Sequence, residues 1–244
     1  MASDPLLRAP APGTGEIGEG DQHGGRHRPP HLEGAAQHEA GAAVREFLFG
    51  NRAEALRAAN AALRYSKERD ALTGVALSLA FLGDPRAEAL VDELDRRFPE
   101  DTFVRYGHLP ALRAQLALNH RDPAKAIELL ESARPYELGG QGASTTGFAG
   151  SLYPIYLRGQ AYLAARRGLE AVAEFQKIVA NLGTVSNDPT IVVSARLQLA
   201  RAFEMAGDHV KAKAAYEDFL TLWKDADHDV PILKQAKSEY GSLR

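Results

Sequence analysis

The sequence predicts an all-α fold: a right-handed α-solenoid of about five antiparallel helix pairs with a C-terminal capping helix. Three observations carry that expectation. Short turns, most of them ending in Asn or Asp, recur between helical runs. Apolar residues within the runs return every three or four positions, the spacing of a buried helical face. Alanine is abundant throughout. It is the best helix former because it loses no side-chain entropy, and its small size lets neighbouring helices approach.

The turns define the repeat. Gly50-Asn51, Gly83-Asp84, Arg121-Asp122, Arg167-Gly168 and Gly207-Asp208 each separate two helical runs. Gly and Asn tolerate the left-handed backbone that ends a helix, and Asp or Asn can cap the next one. The second members of these turns lie 33, 38, 46 and 40 residues apart, so the unit is constant in kind but not in length. A period of this size with one helix pair per unit marks a helical solenoid.

Residues 1–34 come first and differ from the rest. Seven Gly and five Pro fall there with almost no large apolar residues, too little to offset conformational entropy, so the segment is expected to be disordered. The repeat domain then spans 35–230. Its first pair is placed at Ala35–Phe49 and Arg52–Ser66, and its second at Arg69–Leu82 and Pro85–Arg97. Phe103–His120 and Pro123–Ser132 form the third pair, and Leu152–Arg166 and Leu169–Leu182 the fourth. Thr190–Ala206 and His209–Lys224 form the fifth. In that pair Leu199, Phe203 and Ala206 make one stripe, and Ala212, Tyr216, Phe219 and Leu220 another. Pro85 and Pro123 sit in first turns, where a missing N–H costs nothing.

Two further elements stand out. The insert Arg134–Ser151 holds Gly139, Gly140, Gly142, Gly147 and Gly150 around Tyr136 and Phe148. Loops of this length are often functional; the plain alternative is a surface loop anchored by its two aromatics. Residues 231–244 carry Ile232, Leu233, Ala236, Tyr240 and Leu243 on one helical stripe. That pattern fits a cap laid against Tyr216 and Phe219, which an array needs to cover its last apolar face.

Composition narrows the function. The net charge of −3 gives no argument for nucleic acid, whose phosphates require a basic face. Five of the eight lysines fall between Lys211 and Lys237, but Asp and Glu are interleaved, as on a solvated helix surface. With no cysteine, disulfides and thiolate metal sites are excluded. No run of 18 apolar residues offers a membrane span. The N-terminus lacks the basic-then-apolar pattern of a signal peptide, which predicts a cytoplasmic chain.

The fourth and fifth pairs resemble the tetratricopeptide repeat through Gly159, Tyr162, Ala171, Phe175 and Ile178, then Ala200, Phe203, Gly207, Ala212, Tyr216 and Phe219. In that family the small residues let helix A sit close to helix B, and the aromatics fill the space between repeats. The third pair keeps Ala114, Ala126 and Ala133, the first keeps Gly50, Ala55 and Ala62, and the second departs most. The stretch Ala214–Asp227 with Val230–Lys237, together with Pro135–Gly139 and Leu152-Tyr153-Pro154, resembles the repeat region of bacterial eukaryotic-like serine/threonine kinases. Related repeat tails occur in winged-helix transcriptional regulators. The resemblance implies a sensory or docking tail, extracytoplasmic if its kinase is membrane-bound. The chain has no complete His-Arg-Asp catalytic loop (His120-Arg121-Asp122 is followed by Ile127 where the loop needs its Asn), no Asp-Phe-Gly and no Val-Ala-Ile-Lys strand to hold magnesium and phosphate.

Other chemistry is weakly signalled. Gly13–Gly18 matches G-x-G-x-x-G but follows no strand, so chance composition explains it. His23, His27, His31 and His38 are spaced like metal ligands, yet Gly24, Gly25, Pro29 and Pro30 speak against a helix to present them. His108, His120, His209 and His228 are scattered among turns and helix ends, as capping or surface residues are. No catalytic set, metal or cofactor is expected. The function expected is protein or peptide binding in a groove lined by one face of the A helices, without catalysis. Candidate groove residues are His108, Gln115 and Asn119 in the third pair, Tyr153, Tyr156 and Gln160 in the fourth, and Arg201 and Glu204 in the fifth. Tyr and Arg commonly anchor interfaces. The competing reading of the two tyrosines is packed core. The alternative function is a regulatory fragment of a bacterial kinase or winged-helix regulator.

Overall fold

A computed structural model describes residues 30–138, 152–181 and 188–243. Eleven α-helices pack in consecutive pairs, with no strand among the described residues. They are α1 (Pro30–Leu48), α2 (Arg52–Tyr65), α3 (Arg69–Leu82), α4 (Arg86–Arg97), α5 (Leu109–Asn119), α6 (Pro123–Leu130), α7 (Tyr153–Ala164), α8 (Gly168–Ala180), α9 (Pro189–Met205), α10 (His209–Leu222) and α11 (Pro231–Ser242). Helix α1 begins inside the segment 1–34; residues 1–29, the rest of that segment, lie outside the described residues.

One turn geometry joins the two helices of every pair. Gly50, Gly83, Arg121, Arg166 and Gly207 take positive φ. Each donates its N–H three residues back, and the next residue donates five residues back: Gly50 to Phe47 and Asn51 to Glu46, for example, and Gly207 to Glu204 and Asp208 to Phe203. These bonds satisfy carbonyls that a helix end leaves open. Asp122 and Asp208 then cap the following helix by accepting from the N–H of Lys125 and Lys211.

The fourth turn corrects the sequence reading by one residue. Its left-handed position is Arg166, not Arg167, and Gly168 already begins α8. Gly168 serves packing: a Cβ there would stand 2.6 Å from the Ala206 nitrogen at the end of α9. Gly159 does the same within the pair, where an added Cβ would meet the Phe175 ring at 2.6 Å.

The third pair departs from the expected helix Phe103–His120. Val104–His108 form a π-helical turn before α5 begins at Leu109. Pro110 is the cause we assign: it has no N–H, and its ring crowds the carbonyl four residues back, so the ladder widens by one residue. At the other end of the pair, a 3₁₀ turn at Glu131–Tyr136 occupies the start of the span read as a loop. Tyr136 stacks on Tyr106 at 4.8 Å. Phe148 and the insert's glycines lie outside the described residues.

Successive pairs share one core. A continuous buried cluster runs from Ala40 to Ala212, and a second joins Leu197, Ala200, Tyr216, Phe219, Ile232 and Ala236. Alanines dominate the close approaches; Ala40, Ala43, Ala59, Ala62, Ala76 and Ala80 are all buried. The A helices α1, α3, α5, α7 and α9 contact one another in sequence, and α9 reaches back to α1.

The two ends of the array meet through α11. The Ile232 N–H donates to the Phe49 carbonyl at 3.1 Å, and Phe49 meets Trp223 edge-on at 5.1 Å. Gly50 lies so close to Pro231 that a Cβ would stand 2.7 Å from the proline Cβ. Thus α11 covers Tyr216 and Phe219 and also touches the first turn. No helix among the described residues is long and apolar enough to cross a membrane.

Candidate functional site

Repetition of the turn fixes which residues of each A helix face inward. Counting back six residues from the left-handed position gives Gln115, Gln160 and Arg201 in three successive pairs. Counting back two gives Leu48, Phe81, Asn119 and Ala164 in the first four. All seven line one cavity of about 470 Å³. Pro231, Ile232 and Gln235 of α11 line its remaining rim. The volume is in the range of ligand sites.

The lining mixes apolar side chains with side-chain amides. Phe47 and Phe81 stack with their centroids 4.8 Å apart. Gln115 donates to Asn119, which in turn donates to the Ala80 carbonyl at 2.7 Å. Tyr156 is 4% exposed and packs edge-on against Phe175, with Gln160 and Gln198 close to its hydroxyl. Burial pushes its phenol above the ordinary range. Ser194 also lines the wall; it is 2% exposed, and its Oγ has no hydrogen-bond partner among the described residues. Among the described residues, no carboxylate lines the cavity. Its cation, Arg201, makes two 2.9 Å bonds to the Glu239 carboxylate on α11.

Five of the eight residues proposed from sequence therefore meet here: Gln115, Asn119, Tyr156, Gln160 and Arg201. Three do not. Tyr153 is packed core at 2% exposure, its hydroxyl bonded to the buried Asp188. Three apart on a helix, the two tyrosines point about 60° apart, and it is Tyr156 that borders the cavity while Tyr153 turns into the core. Glu204 lies at the α9–α10 turn and pairs with His209 at 2.9 Å. His108 is buried in the π-helical turn, with Asp70, Arg69 and Asp101 as its charged neighbours. Ser194, Gln198, Phe47 and Phe81 escaped the sequence reading; the turn register finds Phe81 directly.

His108 has a measurable consequence. Burial holds its imidazole at about 4, against an ordinary 6.5. Between those values the unfolded chain binds the proton and the folded chain does not. The stability His108 contributes by staying neutral is complete above about pH 6.5 and falls as pH drops toward 4. Urea unfolding at pH near 7.5 and near 5 should differ by about 2 kcal/mol more in the wild type than in His108→Gln. Equal pH dependence in the two proteins would show that His108 titrates normally.

Among the described residues, no group of three or more His, Asp or Glu side chains stands close enough to hold a metal ion. His38 is exposed on α1, and His23 and His27 lie outside the described residues. Compared with known protein families, curated proteins and solved structures, the chain matches none.

Proposed function

We propose that this chain is a right-handed tetratricopeptide-type solenoid that binds a protein or peptide segment in the cavity its A helices enclose, and that it performs no chemistry of its own. The observation that carries this reading is the register. Four A helices place the residue two before the left-handed turn on the same wall, and three place the residue six before it there. Repetition of one unit thus builds one concave surface, the arrangement by which solenoids form extended binding faces. The close fit of Gly159 against Phe175 supports the family resemblance, since a small residue on helix A admits an aromatic from helix B.

The test is to block the cavity without disturbing the fold. Ala164 is exposed at the wall, so Ala164→Trp adds bulk there without displacing core. A displayed peptide library panned on the wild type should yield binders that lose at least about tenfold in affinity on Ala164→Trp, a penalty of roughly 1.4 kcal/mol or more. The melting temperature should stay within a few degrees. Binders indifferent to the substitution would place the interaction on another surface.

A further inference from the structure

We infer that the cavity takes an uncharged, extended peptide segment, held through its backbone amides by side-chain amides and by Ser194. This rests on the groove reading above and specifies its ligand. The polar wall is built of Gln115, Asn119, Gln160, Gln198 and Gln235 with Ser194. Each amide side chain carries a donor and an acceptor, as a peptide bond does. A helical segment has spent its backbone groups internally, whereas an extended one leaves N–H and C=O groups to meet that wall.

Charge decides against ionic ligands. A buried charge needs a partner, and the lining offers no carboxylate to an ammonium group. Its guanidinium, on Arg201, already has its charge met by both oxygens of Glu239, so a ligand carboxylate gains little from it. Ser194 is the independent sign of a ligand. A buried hydroxyl without a partner is unfavourable, and a bound backbone group would satisfy it. Phe47, Phe81, Leu118 and Ile232 supply the apolar part of the same lining, against which one aliphatic or aromatic side chain of the segment packs. A volume of about 470 Å³ takes a short segment, not a folded domain.

The experiment uses the full chain and capped tetrapeptides (N-acetylated and C-amidated) composed of Leu, Phe, Asn and Ser, with binding followed by calorimetry. Neutral peptides should bind, and one Asp or Lys in the sequence should weaken them at least about tenfold. Ser194→Ala should weaken the best peptide by about three- to tenfold while its melting temperature holds or rises, because the substitution removes an unpaired hydroxyl without opening space. Charged or uncapped peptides binding as tightly as neutral ones, with binding still lost on Ala164→Trp, would overturn the ligand chemistry and leave the groove reading standing. Full affinity in Ser194→Ala would remove Ser194 from the site. No peptide binding to the wild type, or binding that survives Ala164→Trp, would overturn both readings.

Discussion

Replacing Arg158 by alanine is expected to lower the unfolding free energy by about 3–5 kcal/mol, the usual cost of breaking a buried ion pair from one side. Arg158 is on α7 with no exposed surface. Its guanidinium donates to the Leu130 carbonyl at 3.1 Å, to Glu174 at 3.0 Å and to Glu137. These three acceptors lie on the end of α6, on α8 and just beyond the 3₁₀ turn, so one side chain ties the third pair to the fourth. Glu174 is nearly as buried and also receives Lys177 at 2.9 Å. Burial pushes the Glu174 carboxyl up, but the bonds from Arg158 and Lys177 outweigh it and hold the group below its usual range. Its stability contribution is therefore present above the unfolded carboxyl value and is lost as pH falls through the lowered one.

A double-mutant cycle isolates the pair. Arg158→Ala alone leaves the Glu174 and Glu137 carboxylates without its guanidinium, whereas Arg158→Met with Glu174→Gln removes the two most buried charges together. The double variant should be more stable than Arg158→Ala, since paired charges can be replaced together at little cost. Denaturant unfolding followed by circular dichroism reads the cycle. A loss under about 1 kcal/mol for Arg158→Ala would mean the network is solvated and mechanically idle.

The contrast between Arg158 and Gln115 shows what the sequence made legible. Turns and inner-face residues are local: Gly50, Gly83 and Gly207 announce the left-handed position, Asp122 marks it at Arg121, and Arg201 and Gln115 follow by counting back six from Gly207 and Arg121. Where neither a Gly at the position nor an Asp or Asn after it marked the turn, the count slipped. Arg166 takes the left-handed position at φ 61° without being glycine, and Gly168, two residues on, drew the turn one residue late. Arg158 is different in kind. An arginine within a helix usually reads as surface, and only the return of Glu137 and Glu174 from distant positions makes its burial tolerable. His108 was misplaced because nothing in its own sequence signals that Pro110 would open a π-helical turn around it. The approach of Phe49 to Trp223 was equally hidden, since it depends on the summed rotation of five pairs.

That approach bears on the second large effect: deleting residues 231–244 should cost about 3–6 kcal/mol and promote aggregation. Ile232 and Leu233 are 7% and 1% exposed, and burying each large apolar side chain contributes about 1.5–3 kcal/mol. Deletion also uncovers Leu197, Tyr216 and Phe219, a contiguous apolar face of the sort that drives association. It strips Glu239 from Arg201 and from the Tyr216 hydroxyl. Chemical unfolding and light scattering would record both effects, and a soluble truncated chain of unchanged stability would mean that α11 is a free segment. Two single substitutions then separate its role as a local cap from its contact with the first turn. Gly83→Ala forces an alanine into a left-handed turn with open space around it, at about 1–2 kcal/mol. Gly50→Ala imposes the same kind of backbone strain and also drives a Cβ into Pro231. If α11 holds the first turn, Gly50→Ala must be the more costly of the two, and it must alter peptide affinity, because Gly50 and Pro231 both border the cavity. Equal losses and an unchanged affinity would reduce α11 to a cap on α10 alone.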